Sequence, residues 1–200
     1  MTAAVLAALA AGAVGVGAIT LVWVDLLRTG HNPARDAVSD YGAGSYRLFY
    51  TVLVCSLGLG ALLLLVALAI GTDIPEGGLI WLGVFGVARL AIAFFPHDLE
   101  GKPVTPVGRI HLALAAAAFA AIAFAAADLA PALAGEPGWG ADKLIGALRW
   151  AVIVTAVATL VARVVLPVRR ATFGLVERLL YAAMIAFLLA VAIEAARVLG

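Results

Sequence analysis

Six long apolar stretches constrain this chain more than any other feature of its sequence. They cover about residues 3–24, 47–70, 78–95, 107–130, 146–166 and 175–198. A helix needs about 20 mostly apolar residues to cross the hydrocarbon core of a bilayer, and each stretch is close to that length. Their apolar residues do not alternate with polar ones, which favours helices over the strands of a membrane barrel. The sequence therefore predicts an all-α, polytopic membrane protein built as a bundle of six transmembrane helices.

Composition supports this prediction. Of the 200 residues, 65% are hydrophobic and 12% are charged, whereas soluble domains carry about 25% charged residues. The formal net charge is +1, so the bilayer is the expected partner and nucleic acid is not. The single cysteine excludes an internal disulfide and a cysteine-based zinc site. Because the connections are short, we expect residues 1–200 to form a single six-helix domain.

Basic residues are divided unevenly between the two ends of the predicted bundle. Ten lie in or beside the connections after helices 1, 3 and 5, and three lie at the opposite end. Basic residues accumulate in cytoplasmic loops, so we expect a multi-pass protein of the cell membrane with connections 1, 3 and 5 in the cytoplasm and both termini outside. The first stretch has no basic residue before it and continues to Val24, so we interpret it as a retained helix, not a signal peptide.

The connection after helix 1 is richer in polar residues than a short loop requires. Its candidate functional residues are His31, Arg35, Asp36 and Asp40. Asn32 followed by Pro33 is typical of a helix N-terminus, and Gly42 suits a helix exit. A short helix lying on the membrane surface is the simplest structure for this segment. A plain connector is the alternative.

The end of helix 3 and the connection after it form a second polar region. Its candidate residues are Arg89, His97, Asp98 and His111. Arg89 lies within an apolar stretch, where inserting an arginine costs about 2.5–3.5 kcal/mol. We therefore expect it to pair with a carboxylate, with Asp25 as the first candidate. Thr105 before Pro106 is expected to cap helix 4 and to place His111 in its first two turns.

Helices 4 and 5 and the far end of the bundle give three further expectations. On helix 4, small residues repeat every four positions, which indicates either close helix contact or a biased composition: Ala113, Ala117, Ala121 and Ala125. Helix 5 carries a polar stripe of Thr155, Thr159 and Arg163, whose threonine hydroxyls should bond to carbonyls of their own helix. At the far end, Arg149 should pair with Glu194, and Arg197 should share that carboxylate.

The topology places the two polar connections at one face of the membrane. All three histidines of the chain belong to this group, which could ligate a metal ion, transfer protons or bind a phosphate headgroup through arginines. The candidate catalytic residues are Asp36, Asp40, Asp98 and His111. The candidate binding residues are His31, Arg35, Arg89 and His97. The sequence has no H-E-x-x-H motif, so the metal and the cofactor stay open.

Residues in these two connections also resemble those of a known protein family. The matching residues are the stretch 31–42 (HNPARDAVSDYG) and, after helix 3, Phe95-Pro96-His97-Asp98 with Gly101, Thr105, Gly108 and His111. At these positions the chain resembles the domain-of-unknown-function family 998. The resemblance implies a prokaryotic six-helix integral membrane protein, and it brings no substrate or mechanism.

Three functions remain open from the sequence. The first is a non-enzymatic membrane protein that binds or handles either a lipid or a small solute. A lipid would be bound through its headgroup. The second is a membrane-embedded hydrolase or lipid-modifying enzyme, in which the Asp and His residues supply metal ligands or acid–base groups. The third is a small transporter, although the sequence lacks the paired, broken helices that mark a midplane site. Whether the protein is an enzyme is left open.

Overall fold

The structure, a computed structural model, describes residues 2–27, 29–99 and 103–200, with residues 166–170 described as backbone only. Its long helices are α1 (Ala3–Leu26), α2 (Arg47–Gly71), α3 (Glu76–Ile92), α4 (Pro106–Ala134), α5 (Asp142–Val164) and α6 (Leu166–Val198). A short 3-10 helix, Val38–Ala43, lies between α1 and α2, and the described residues contain no strand. The all-α prediction is confirmed.

Five of these helices are long and apolar enough to cross a membrane: α1, α2, α4, α5 and residues 171–198 of α6. Helix α3 has 17 residues, which at 1.5 Å per residue is about 25 Å, shorter than a typical hydrocarbon core. The protein is therefore a polytopic all-α membrane protein. Its six-helix layout includes one short helix that ends just before the Phe-Pro turn.

The helices form a ring in chain order. Each helix packs against its neighbours in sequence, α6 closes the ring against α1, and α2 also contacts α6. Helix α6 is the most buried of the five spans and α5 the least. On α4, Ala121 and Ala125 are buried in the core, whereas Ala113 and Ala117 are exposed. Only half of the predicted alanine repeat is therefore a helix contact.

The predicted surface helix after α1 is wrong. The Asn32 side chain accepts a hydrogen bond from the backbone N–H of Ala34 at 3.0 Å, but it caps a single turn. The helical segment comes later, and it is the 3-10 helix, in which Val38, Tyr41 and Gly42 are buried. This segment packs against α2 and α6. The connection is therefore part of the packed end of the bundle, because its apolar residues face the helices and not a lipid surface.

At the opposite end, the Arg149–Glu194 pairing is wrong and the role of Arg197 is confirmed. Glu194 accepts a hydrogen bond from Arg197 Nε at 3.0 Å and another from the backbone N–H of Gly140 at 2.7 Å. The guanidinium carbon of Arg149 instead lies 4.8 Å from the ring centroid of Trp150. The carboxylate is bound by its near neighbour in α6 and by the turn before α5, so it needs no partner from α5 itself.

The threonines of α5 behave as predicted. The Thr155 hydroxyl donates to the Ala151 carbonyl at 2.6 Å, and the Thr159 hydroxyl donates to the Thr155 carbonyl at 2.8 Å. Both hydroxyls are thus satisfied within α5, which is the usual arrangement for threonine in an apolar helix.

Candidate functional site

A cavity of about 830 Å³ lies inside the ring, at the end where the connections after α1, α3 and α5 meet. Its polar lining consists of Arg35, Ser39, Asp40, Tyr50, Arg89, His97, Asp98, His111, Thr159, Arg163, Glu177 and Tyr181. Six of the eight candidate residues from the sequence are in this group. The exceptions are His31 and Asp36. The cavity has the size and mixed lining of a small-molecule site.

Arg89 lies at the buried side of this cavity and is 1% exposed. Its Nη1 donates to the Tyr181 hydroxyl at 2.8 Å, its Nη2 approaches the sulfur of Met184 at 3.5 Å, and its guanidinium carbon lies 4.9 Å from the ring centroid of Phe119. Its Nε is buried and has no hydrogen-bond partner among the described residues. The predicted pairing with Asp25 is wrong, because aromatic faces stabilise this cation instead of a carboxylate.

Two histidines stand side by side in the cavity wall. The ring centroids of His97 and His111 are 5.1 Å apart. His111 Nδ1 lies 2.7 Å from the Phe95 carbonyl oxygen, which can only accept, so this nitrogen carries the proton. His97 Nε2 lies 3.5 Å from an Asp40 carboxylate oxygen. Burial and the nearby Arg163 guanidinium lower the pKa of His97, which favours the neutral ring at pH 7.

Asp98 holds the start of α4 in place. Its carboxylate accepts from the backbone N–H of Thr105 at 2.7 Å and from the Thr105 hydroxyl at 3.0 Å. The same hydroxyl accepts from the backbone N–H of Gly108 at 3.0 Å, which confirms Thr105 as the cap. The backbone hydrogen bond from Thr105 lowers the pKa of Asp98. A Cβ at Gly108 would collide with the Asp98 carboxylate, so glycine is needed for this close approach.

Two carboxylates from different elements bind the start of the 3-10 helix. Asp40 accepts from the backbone N–H of Ala37 at 3.0 Å, and Glu177 accepts from the backbone N–H of Val38 at 2.7 Å. Glu177 is buried and lines the cavity. Sequence reasoning missed this residue, although an acidic side chain inside the sixth apolar stretch was a signal that could have identified it.

Arg178 fastens the connection after α1 to α6. Its Nε donates to Asp25 at 3.0 Å, and its Nη1 donates to the carbonyls of Pro33 at 2.9 Å and Asp36 at 2.8 Å. The Tyr41 hydroxyl donates to Asp25 at 2.8 Å. Burial and this hydrogen bond to Asp25 raise the pKa of Tyr41. Asp25 is therefore satisfied by Arg178 and Tyr41, which explains why it is not the partner of Arg89.

The same connection also bonds to α6 through its backbone. The N–H groups of Gly174 and Leu175 donate to the carbonyls of Arg35 at 3.2 Å and Ala34 at 3.0 Å. A Cβ at Gly174 would lie 2.6 Å from the Pro33 carbonyl oxygen. Glycine at this position therefore permits the connection and α6 to touch.

His31 and Asp36 form a separate pair near this fastening. His31 Nδ1 lies 3.5 Å from an Asp36 oxygen, and the same oxygen accepts from the backbone N–H of Asn32 at 2.7 Å. The His31 ring packs edge-on against Tyr41, with centroids 5.2 Å apart. These contacts order the turn after α1, and they bring neither residue into the cavity lining.

The remainder of the cavity is an apolar slot between α4 and α5. Its α4 wall is a row of small residues at helical spacing, namely Ala116, Ala120, Ala123 and Ala127. Its α5 wall includes Val157 and Leu160, which are 57% and 65% exposed. Small side chains on one helix leave room beside larger ones on the other. The cavity is therefore polar at one end and apolar along the slot.

The model of one protein family, described as protein of unknown function (DUF998), matches residues 9–194. The chain belongs to the DUF998 family. No curated protein and no solved structure matches it significantly. The matched part of this DUF998 protein contains every polar residue that lines the cavity. The expected family assignment is thus confirmed.

The chemistry available to this DUF998 protein follows from its cavity. Within the part of the chain that the structure describes, no three His, Cys, Asp or Glu side chains are arranged to hold a metal ion. The carboxylates of Asp40, Asp98 and Glu177 accept backbone hydrogen bonds. What the cavity offers a ligand is cationic donors, two histidine rings and an apolar slot.

Proposed function

We propose that this protein binds a single amphiphile, with its polar group among the charged residues and its hydrocarbon chain in the slot between α4 and α5. The observation that carries the proposal is the division of one cavity into a polar end and an apolar slot. A small solute would not need the slot, and a plain hydrocarbon would leave the buried polar groups unsatisfied.

The slot also suggests how such a ligand would enter. Val157 and Leu160 line the cavity and are exposed on α5, the least buried span. In a membrane this side of the bundle faces lipid, so a chain can pass between α4 and α5 without crossing water. The ligand would therefore come from the bilayer that surrounds the protein.

Two alanines of α4 give a matched test. Ala120 lines the slot, whereas Ala117 does not, and both are exposed. We expect Ala120→Phe to fill the slot and to weaken lipid binding by at least about tenfold, as expected when a ligand loses part of its apolar contact. Ala117→Phe adds the same ring on a lipid-facing position and should bind like the parent. Native mass spectrometry of delipidated protein with added phospholipid measures both.

If Ala120→Phe binds as tightly as Ala117→Phe, the slot does not hold the chain and the proposal is wrong. The same holds if the parent binds lipid only in proportion to its concentration, without saturation. Equal melting temperatures of the two variants serve as the folding control.

A second candidate function is an enzyme acting on the bound amphiphile. The observation that favours it is the contact between His97 and Asp40 at the cavity wall, because a carboxylate that orients a histidine is typical of acid–base catalysis. We expect such an enzyme to lose turnover in Asp40→Asn while still binding the amphiphile. Mass spectrometry after incubating the parent with phospholipid tests for a product, and an unchanged lipid removes this candidate.

We further propose that residues 1–200 form a single domain in the cell membrane, with connections 1, 3 and 5 in the cytoplasm and both termini outside. At the end where connections 1, 3 and 5 lie, four basic residues have structural or cavity positions. Arg35, Arg89 and Arg163 line the cavity, and Arg178 holds the connection after α1 against α6. Six others remain there against three at the opposite end, so the asymmetry persists. Reporter fusions at the termini and near Arg109 test the orientation.

A further inference from the structure

We infer that the polar group of the amphiphile is a phosphate, bound by Arg163 and Arg35 together with the buried Arg89. This inference rests on the proposed function, since it names the headgroup chemistry of the ligand in the same cavity. It is carried by a contrast between the anionic and the cationic side chains of the lining.

The carboxylates of the lining already have partners. Asp98 accepts from the backbone and the hydroxyl of Thr105, and Glu177 accepts from the backbone N–H of Val38. Asp40 accepts from Ala37 and faces His97. These three groups therefore hold the protein together, and a cationic ligand would have to compete with those bonds.

Two guanidinium groups of the lining, unlike the carboxylates, have no such partners. Within the described residues, neither Arg35, which is exposed, nor Arg163, which is half-buried, takes part in an ion pair or donates a side-chain hydrogen bond. Arg163 is close enough to His97 to lower the pKa of that ring. An arginine carries five N–H donors in a planar fork, so these two side chains bring to the polar end donors that no described protein group uses.

Arg89, at the buried side of the cavity, also has a donor without a partner. Its side chain is 1% exposed, and its Nε has no hydrogen-bond partner in the part of the chain that the structure describes. A buried donor left without a partner costs about 1–3 kcal/mol. Arg149 Nε is also without a partner, but it lies outside this cavity, whereas Arg89 lines the cavity, so a ligand there can supply the acceptor that its Nε lacks.

A phosphate fits this set of donors better than other acceptors do. Its oxygens accept from more than one guanidinium at once, and arginine forms paired hydrogen bonds with it. A hydroxyl or a carbonyl would offer fewer acceptor sites and no charge to balance the arginines. Arginine is charged at any pH at which the protein is folded, so the arginines are the permanently charged partners of the ligand.

The test compares two lipids that differ only in the headgroup. Phosphatidic acid and diacylglycerol with identical acyl chains are titrated onto the delipidated full-length protein and followed by native mass spectrometry. We expect the parent to bind phosphatidic acid at least about tenfold more tightly, the effect of one or two charge-assisted hydrogen bonds. Arg163→Gln should lose that preference. Arg109→Gln, which removes an exposed arginine outside the cavity, should keep it.

The outcomes separate this inference from the proposed function. Equal binding of the two lipids to the parent, weakened for both by Ala120→Phe, supports the amphiphile and overturns the phosphate. No saturable binding of either lipid overturns both. A preference that survives in Arg163→Gln and in Arg35→Gln overturns the assignment of these arginines.

A third arm uses inorganic phosphate in place of a lipid, at constant ionic strength. We expect it to bind at least about a hundredfold more weakly than phosphatidic acid, because it gains nothing from the slot. Inorganic phosphate that binds as tightly as the lipid would assign the site to a free phosphate and overturn a lipid headgroup as the source.

Discussion

Arg178 and Arg89 lie at the same end of the bundle and have opposite surroundings. Arg178 donates to a carboxylate, a tyrosine hydroxyl and three backbone carbonyls. Arg89 is more deeply buried, yet it has one hydrogen bond to oxygen, aromatic rings around it and a Nε without a partner. The first arginine is fully used by the protein itself, whereas the second is not.

This difference separates structure from function within one polar region. A charge whose hydrogen bonds are all made within the fold is explained by folding, and removing it leaves its partners stranded. A buried charge with an unpartnered donor is explained by folding only in part. We therefore regard Arg178 as the residue that holds the connection after α1 against α6, and Arg89 as a candidate ligand-binding residue of the proposed site.

The largest effect is expected from removing the satisfied arginine. Arg178→Met leaves Asp25 without its ion pair and removes the donor to the Pro33 and Asp36 carbonyls. We expect the free energy of unfolding to fall by about 3 kcal/mol. Thermal melting in detergent micelles measures the loss. Arg109→Met is the control, since an exposed substitution usually costs within about 0.5 kcal/mol, and equal melting of the two variants would contradict the fastening.

A smaller loss is expected where the same connection touches α6 through a glycine. Gly174→Ala places a Cβ against the Pro33 carbonyl, and overpacking of this kind costs about 1–3 kcal/mol. Gly146→Ala on α5 is the matched control, because a Cβ there meets nothing within 4 Å. It should melt at the parent temperature or slightly above, since alanine is the better helix former. If Gly174→Ala melts at the same temperature as Gly146→Ala, the connection can move away from α6 to make room for the Cβ.

The sequence was sufficient to predict the helices but not the ion pairs between distant charged residues. Continuous apolar stretches indicate helices wherever they occur, and the Thr105 cap follows from local chemistry alone. The pairing of Arg89 with Asp25 was wrong because it depends on which helix faces which across the ring. Arg178 stands four residues from Gly174, and only the close approach at that glycine brings the carbonyls of the connection within its reach.

The sequence predicted where the candidate site lies better than it predicted which residues line it. Two polar connections on one side of a short-looped bundle have to meet, so Asp40, His97 and His111 come together at one cavity. His31 and Asp36 share the first connection with Asp40, but a turn after α1 directs them away. Glu177 was not predicted, because it lies within an apolar stretch and not in a connection.

The cap at Asp98 predicts a dependence on pH. Its hydrogen bond from the Thr105 backbone lowers the pKa of the carboxylate in the folded protein, so the cap stabilises above the ordinary aspartate pKa of about 3.9. The contribution is lost as the pH falls through the lowered folded pKa. We expect Asp98→Asn to melt below the parent at pH 7 and the difference to shrink as the pH falls below about 4. A difference that is constant from pH 7 to pH 3 would mean that the charge of Asp98 contributes nothing.

The smallest effect on stability is expected at the arginine that is buried most deeply. Arg89→Met replaces the side chain with an apolar one that can still fill the space among Phe119, Tyr181 and Met184. Because no described carboxylate forms an ion pair with Arg89, the change strands no carboxylate; it removes the unpartnered Nε, and the one oxygen that loses its donor is the Tyr181 hydroxyl. Replacing a poorly paired buried charge with an apolar residue is often neutral or stabilising, and this offsets the lost contacts with Tyr181 and the aromatic rings, so the melting temperature should stay close to that of the parent while the preference for phosphatidic acid falls. A loss of stability as large as that of Arg178→Met would show that Arg89 also supports the fold, and the contrast between the two arginines would disappear.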